Sequence, residues 1–159
     1  MKTLNIIIAL ACALFGGACK AITLEAGETK TVRTTAYTHT EADHKKYGRK
    51  TAIGTTLKYG KEVRSAAADW SFFPLGTKFK IVGEPHVYVV EDYGGALVGT
   101  ETIDIYKPSK TTMRKWGVKH VEIEVVEWGC PHESMAILKH RCGYRHCRAM
   151  YNNLLASHG

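Results

Sequence analysis

Three aspartates with distinctive neighbours are the residues of this chain best suited to chemistry. Asp69 follows a run of small residues, Asp92 opens a turn that contains two glycines, and Asp104 stands between two isoleucines. Because a strand alternates its side chains between two faces, Asp104 is expected on the face opposite the isoleucines. Carboxylates held on a strand and at a glycine turn are candidates for acid/base work on a ligand.

The elements that must position these acids are predicted to be short strands. Runs rich in β-branched residues or with apolar alternation predict strands at 30–37, 63–68, 78–82, 87–91, 103–106 and 121–126, with a shorter, glycine-interrupted strand at 51–57. One brief helix is expected to end near Trp116, with Ser109 as its N-cap and Gly117 as its stop. Many short strands with one helix indicate a small barrel.

The last part of the chain has a different pattern. Gly129 and Pro131 mark a boundary, and apolar residues at helical spacing follow over 133–157. Gly143 is expected to split this stretch into two short helices. We therefore predict a helical tail at 130–159 that packs against the barrel. A tail that is largely disordered in isolation is the alternative.

The N-terminus has the pattern of an export signal. Lys2 precedes a short apolar run, and small residues continue to Ala21. This predicts a secretory signal peptide at 1–21, ahead of a barrel domain at 22–129. Cys19 follows small residues as a lipidated cysteine does, although Gly16 occupies a position that is usually aliphatic. Lipidation of Cys19 and cleavage after Ala21 both stay open.

The charge and the cysteines bear on partners and ligands. A formal net charge of +7 in an exported protein favours anionic wall polymer or lipid headgroups over nucleic acid, and it serves solubility equally well. The histidines and cysteines of the tail are zinc-type ligands, but their spacing matches no recognised zinc knuckle. A disulfide between two of Cys130, Cys142 and Cys147 is the better prediction for an exported chain. We expect no metal and no cofactor.

Eight short motifs, taken in order and spacing, resemble the three-aspartate domain, or 3D domain. The resemblance covers about residues 33–127 and is carried by Thr35-Ala36-Tyr37, Thr51-Ala-Ile-Gly54, Ala68-Asp69, Pro74-Leu-Gly-Thr77, Glu91-Asp92-Tyr-Gly-Gly-Ala96, Gly99, Ile103-Asp104-Ile-Tyr106 and Trp116-Gly117. This domain forms the catalytic barrel of the membrane-bound lytic transglycosylase A family and of small stationary-phase survival and resuscitation proteins. The resemblance implies a mainly β fold: a six-stranded double-psi β-barrel with one short helix, here followed by the helical tail. The barrel is shared more distantly with expansins and rare lipoprotein A.

The chain departs from the family pattern in three respects. Tyr93 replaces the threonine of the usual Asp-Thr-Gly-Gly turn, and Trp70 follows Asp69 where proline or a small turn residue is usual. A counterpart of the second, substrate-gripping domain of the larger transglycosylases is not apparent in these residues. The first two changes bear on substrate contacts, and the third bears on affinity for long glycan.

The resemblance implies an exported lytic transglycosylase. Such enzymes cleave the β-1,4 bond between N-acetylmuramic acid and N-acetylglucosamine without water and leave a 1,6-anhydromuramyl end. Asp104 matches the family's general acid by position, and one carboxyl can serve as acid and then as base because the nucleophile is the sugar's own O6. Asp92 would raise the pKa of Asp104 or stabilise positive charge on the sugar, and Asp69 would hold the loop or orient the sugar.

The expected partner is the glycan of peptidoglycan, met in the periplasm or cell envelope, with attachment to the outer membrane if Cys19 is lipidated. The aromatic rings among the candidate contacts could stack on sugars, while Trp116 is expected in the core. Two alternatives stay open: a wall-binding barrel that grips glycan without cutting it, as expansins do, and a partner-regulating lipoprotein that acts through its cationic tail. Candidate glycan contacts are Tyr37, Thr51, Gly54, Tyr93, Gly94 and Gly95.

Overall fold

The computed structural model describes residues 28–42 and 44–158, and its sheet contains six strands. Their bounds lie close to those predicted from the sequence. The signal peptide predicted at 1–21 and Cys19 lie outside the described residues. The strands are β1 Thr29–Tyr37, β2 Val63–Ala67, β3 Lys78–Ile81, β4 Val87–Asp92, β5 Ile103–Tyr106 and β6 Lys119–Glu127.

Three α-helices accompany the strands: α1 Lys110–Trp116, α2 Pro131–Lys139 and α3 Arg145–His158. The predicted ends of α1 are confirmed, because the Ser109 hydroxyl accepts a hydrogen bond from the Thr112 N–H and Gly117 follows the last turn. The predicted break in the tail is also confirmed, since Gly143 lies between α2 and α3. Among the described residues, none of these helices has the length and apolar character needed to cross a membrane.

The strand predicted at 51–57 is wrong. The segment forms a tight turn in which the Thr51 N–H donates to the Thr55 carbonyl, and an isolated bridge pairs Lys50 with Thr56. Gly54 has a φ of 81°, a left-handed conformation that reverses the chain and that β-branched residues disfavour. The apolar and threonine-rich composition of this segment is typical of a strand. The left-handed backbone conformation at Gly54 instead turns the chain.

The six strands close into a ring in the order β1-β5-β2-β4-β3-β6. The pairs β1–β5 and β2–β4 are parallel, and the other four pairs are antiparallel. Strand β2 therefore lies between β4 and β5. This order brings the strand that ends in Asp92 and the strand that carries Asp104 to the two sides of one short strand.

Alternation along the strands divides the apolar residues into two clusters. Ile103 and Ile105 of β5 are fully buried in the main core, whereas Tyr106 joins a smaller cluster. In β2, Ala66 belongs to the main core and Ala67 to the smaller cluster. Opposite faces of a strand alternate in this way, so the smaller cluster marks a second face of the sheet.

The two tail helices share the main hydrophobic cluster with the barrel. Leu138 of α2 and Met150 and Leu154 of α3 are fully buried in it. The Leu75 N–H also donates to the Ser134 hydroxyl across 2.9 Å. A Cβ added to Gly129 would overlap the Leu75 carbonyl oxygen, so the chain can enter α2 along this path only with glycine.

The adjacent leucines of α3 test how much the packing of the tail stabilises the protein. Leu154 is fully buried and Leu155 is 43% exposed. Leu154→Ala should lower the free energy of unfolding by about 2–5 kcal/mol, because it removes buried methyl groups and leaves a cavity. Leu155→Ala should change it by less than about 0.5 kcal/mol. Urea unfolding of both variants makes the comparison, and equal effects would show that the tail does not contribute to the cooperative core.

Candidate active site

Two of the three aspartates flank the same residue. Ala67 of β2 pairs with Asp92 on one side and with Asp104 on the other. Neighbouring strands lie about 4.8 Å apart, so the Cα atoms of the two acids are separated by about 10 Å. Thr35 of β1 pairs with Asp104 in turn. A row of four residues therefore crosses four strands, with a small alanine between the two carboxyl groups.

Asp104 lies on the face predicted for it. It is partly exposed, while Ile103 and Ile105 on either side are fully buried in the core. The Thr35 hydroxyl donates a hydrogen bond of 2.7 Å to its Oδ1. The strand backbone and this hydroxyl hold the carboxyl group of Asp104 at an accessible position, as a group that exchanges a proton with a ligand requires.

Asp92 is held from three directions. Its Oδ1 accepts hydrogen bonds from the N–H groups of Ala52 and Tyr93, at 3.1 and 3.0 Å. Its Oδ2 accepts from the Tyr37 hydroxyl at 3.2 Å. The carboxyl group thus joins the 51–55 turn, the loop after β4 and the end of β1.

The electrostatic setting of Asp92 is dominated by burial. Only 6% of the residue is exposed, and this burial raises the pKa of the carboxyl group above its ordinary value. Hydrogen bonds from Tyr93, Tyr37 and Ala52, and the nearby His44, oppose the rise without cancelling it. Burial, followed by the charge of Asp92, raises the pKa of Tyr37 well above its ordinary value, so its hydroxyl keeps the proton that it donates.

Asp69 has a different environment from the other two acids. It is fully buried, and its Oδ1 accepts from both the backbone N–H and the hydroxyl of Ser71. Its Oδ2 accepts from the Gly99 N–H at 2.7 Å. The carboxylate therefore ties the turn after β2 to the loop before β5. This geometry agrees with a role in holding the loop and gives Asp69 no exposed oxygen for proton transfer.

The predicted contacts near β1 form the wall of the site. Tyr37 is only 8% exposed, and its ring packs against Tyr106 at a centroid distance of 5.6 Å. The Thr51 hydroxyl is bonded to that of Thr55, and Gly54 is exposed at the tip of the turn. Tyr37 and Thr51 therefore shape the site, and Gly54 is the member of this group that faces solvent.

The predicted contacts after Asp92 lie against the helical tail. The Tyr93 ring meets His146 at 5.6 Å, and its hydroxyl accepts a 3.0 Å hydrogen bond from Arg141. Burial raises the pKa of Tyr93 to about 12. Gly94 is partly exposed, and a Cβ on Gly95 would stand 3.6 Å from His146. The ring of Tyr93 thus anchors the tail, and Gly94 and Gly95 form the exposed edge of the loop.

Several aromatic residues near the acids were missed from the sequence. His39 Nδ1 lies 2.8 Å from the Tyr106 hydroxyl, and the His44 ring packs on Tyr37 at 5.6 Å. Tyr59, which is 36% exposed, meets Tyr106 edge-on at 6.5 Å. The alternation that placed Asp104 also places Tyr106 on its face, so Tyr106 could have been found. The histidines and Tyr59 lie in loops without a periodic signal.

The predicted disulfide among the tail cysteines is wrong. Cys142 and Cys147 carry free thiols, whereas Cys130 is disulfide-bonded, so neither of the other two is its partner. Cys147 is buried in the core beside Tyr93, and burial raises the pKa of its thiol. Within residues 28–42 and 44–158, no group of three or more His, Cys, Asp or Glu side chains is placed to hold a metal ion.

The six strands form a closed ring, two acids flank Ala67, and the third acid joins two loops. These features define the class of this protein: a small barrel with a carboxylate site on one face of its sheet. Residues 64–127 match the family model of the 3D domain. This segment of the chain is therefore similar to the 3D domain, and it includes all three aspartates.

Two curated relatives from Bacillus subtilis (strain 168) are similar to the chain. It is 35% identical over 102 residues to the cell wall-binding protein YocH, an alignment covering 64% of this chain and 34% of the relative. It is 33% identical over 100 residues to the putative cell wall shaping protein YabE, covering 63% of this chain and 23% of the relative. The chain thus spans about a third and about a quarter of the lengths of these relatives.

The raised pKa of Asp92 predicts a pH dependence of stability. The folded state holds the Asp92 proton more tightly than the unfolded state, so this residue lowers stability as pH rises from about 3.8 through the folded pKa. Asp92→Asn removes the titration and keeps acceptors for Ala52 and Tyr93. The stability of the variant relative to wild type should therefore increase through this window, by about 1.4 kcal/mol per unit of upward shift.

Urea unfolding at pH 3.5 and pH 7 measures this difference. Glu122→Gln, at an exposed position of β6, controls for the loss of one acid. If the wild type instead gains stability over Asp92→Asn with rising pH, hydrogen bonding outweighs burial at this carboxyl.

Proposed function

We propose that this protein is an exported lytic transglycosylase that cleaves the bond between N-acetylmuramic acid and N-acetylglucosamine, with Asp104 as its acid and base. The observation that carries the proposal is the placement of Asp104: an accessible carboxyl on a rigid strand, positioned by Thr35 and paired across Ala67 with buried Asp92. The similarity to the 3D domain and the wall-related names of both relatives support a role at the cell wall.

The proposed reaction needs one working carboxyl. Protonated Asp104 donates its proton to the glycosidic oxygen as the bond from that oxygen to C1 breaks. The resulting carboxylate takes the proton from the sugar's O6 hydroxyl as O6 bonds to C1, which closes the 1,6-anhydro ring and restores the acid. Water does not enter, so a second carboxylate to activate it is unnecessary. The charge of Asp92 would stabilise the positive sugar of the transition state, and Asp69 would hold the loop.

The proposal includes the domain organisation and the type of barrel. A signal peptide at 1–21 would export the chain, the barrel would occupy 22–129, and the helical tail 130–159. The two parallel strand pairs within an otherwise antiparallel ring support the double-psi assignment, because parallel neighbours require crossover connections. Lipidation of Cys19 stays part of the proposal as one way to hold the protein at the envelope.

A non-catalytic wall-binding barrel is the second candidate function. The specific observation in its favour is the name of one relative, a cell wall-binding protein, which claims no cleavage. Both functions would use the same face of the sheet. They differ in whether Asp104 breaks a bond or only contacts the glycan.

Digestion of purified sacculi, followed by mass spectrometry of the released fragments, tests the proposal. Wild type should release anhydromuramyl ends, and Asp104→Asn should lower the rate by at least about 100-fold because the amide cannot donate or accept the proton in the same way. Glu122→Gln is the matched control and should keep the wild-type rate. Thermal unfolding of each variant checks the fold.

The products separate the two candidate functions. Release of reducing ends would indicate hydrolysis. Co-sedimentation with sacculi but no release by wild type would favour the wall-binding function. Full anhydro release by Asp104→Asn would remove Asp104 from the mechanism.

A further inference from the structure

Three basic side chains converge on two aromatic rings at the end of β5, and we call this group the cationic recess. Lys107 Nζ lies 4.2 Å from the centroid of the Trp116 ring and 5.5 Å from that of Tyr59. Lys119 Nζ also lies 4.2 Å from Trp116, and the Arg64 guanidinium lies 4.3 Å from Tyr59. The recess therefore holds three positive charges on two rings.

Lys107 is an unusual residue to bury. Only 5% of it is exposed, although a lysine is seldom buried without an anionic partner. Within the part of the chain that the structure describes, its ammonium group has neither a hydrogen bond nor an ion pair, and it lies over the faces of the Tyr59 and Trp116 rings. The Trp116 indole N–H is likewise buried without an acceptor among those residues.

The surroundings of Lys107 favour a missing anion. Burial is the main cause that lowers the pKa of the Lys107 ammonium, and the positive charges of Arg64 and Lys119 lower it further. The negative charge of Glu84 raises this pKa but does not cancel the decrease. The Glu84 carboxylate instead accepts a 2.7 Å hydrogen bond from the Tyr88 hydroxyl. Cation–π contacts compensate part of the burial, but they leave three like charges on two rings that share Lys107. An oxyanion bound there would offset both the burial and the repulsion.

The recess lies close to the proposed catalytic face. Lys107 follows the last residue of β5 and stands three positions beyond Asp104, which is about 10 Å along an extended chain. Tyr106, between them, contacts Tyr59 edge-on. A shallow hollow of about 510 Å³, lined by residues 58–63, opens beside Tyr59. A short glycan at Asp104 can therefore reach the recess with a charged branch.

We propose that the cationic recess is a subsite for the carboxylate of a peptide carried on the muramyl sugar, with Lys107 as its central contact. The partly exposed Tyr59 would offer its ring to the apolar parts of the ligand while the ammonium groups bind the carboxylate. The inference rests on the proposed glycan substrate and adds to it a preference for strands that carry charged peptides over bare or amidated ones.

Calorimetric titration with two soluble probes tests the inference. The probes are a disaccharide of N-acetylglucosamine and N-acetylmuramic acid carrying a peptide with free carboxylates, and the same molecule with those groups amidated. In both probes C1 of N-acetylglucosamine is joined to O4 of N-acetylmuramic acid. The glycosidic bond at C1 of N-acetylmuramic acid, which the proposed reaction cleaves, is therefore absent, and binding is measured without turnover. Wild type should bind the charged probe at least about tenfold more tightly, about 1.4 kcal/mol.

Lys107→Met keeps the length of the side chain and removes its charge. It should weaken binding of the charged probe about tenfold and leave the amidated probe unchanged, while Lys107→Arg should keep most of the preference. Lys80→Met, at an exposed lysine of β3, is the matched control for net charge and should bind both probes as wild type does. If Lys107→Met does not fold, Lys119→Met at its exposed position carries the same test.

The outcomes distinguish this inference from the proposed function. Equal affinity of wild type for both probes overturns the subsite and leaves the proposed function standing. Failure to bind either probe, with anhydro ends still released from sacculi, also overturns only the subsite. Failure of both binding and release overturns both. If Lys107→Met weakens only the binding of a glycerol phosphate oligomer, the recess takes phosphate and the carboxylate assignment is wrong.

Discussion

The burial of the Asp92 carboxyl is the constraint on which the rest of the site depends. Its oxygens accept from Tyr37, Ala52 and Tyr93, which belong to three segments far apart in the chain. Its backbone carbonyl accepts from the N–H of Ala68 and from the Trp70 indole. Leaving any of these buried donors without a partner costs about 1–3 kcal/mol, so the three segments are held to one arrangement around one acid.

This arrangement explains why the three aspartates are not equivalent. Asp69 is fully buried with both oxygens occupied, and Asp92 is nearly so. Asp104 is the more exposed acid of the same row, on a strand whose isoleucines are buried in the core. Because Asp69 and Asp92 are buried, they can hold the surrounding loops in place but cannot readily transfer a proton to a ligand, which requires direct contact with it. Asp104 is therefore the acid of the three that the fold leaves best placed to meet a ligand.

Local patterns predicted the elements and the face of Asp104, but not the neighbourhood of the site. Alternation in β5 and the Ser109 and Gly117 signals around α1 depend on nearest neighbours in the chain, and the structure agrees with them. The position of Ala67 between Asp92 and Asp104 depends on strand order and register, which no local pattern encodes. The recess around Lys107 joins residues from three separate segments for the same reason.

The two residues that depart from the family pattern have one explanation in the tail. Trp70 is fully buried, meets the Tyr93 ring edge-on at 5.0 Å and points its backbone N–H at the Met150 sulfur of α3. Tyr93 in turn accepts a hydrogen bond from Arg141. A threonine at position 93 would lack the aromatic ring that contacts the tail. A small residue at position 70 would leave a void beneath the Tyr93 ring.

Both departures thus provide the surface on which α3 and the segment that precedes it dock. They do so at the loop that supplies one of the hydrogen bonds to Asp92. The tail therefore stabilises the same carboxyl from outside the barrel. Movement of the tail would reach Asp92 through two residues. The Tyr93 ring contacts α3 and its backbone N–H donates to Asp92, and Trp70 joins Met150 of α3 to the Asp92 carbonyl.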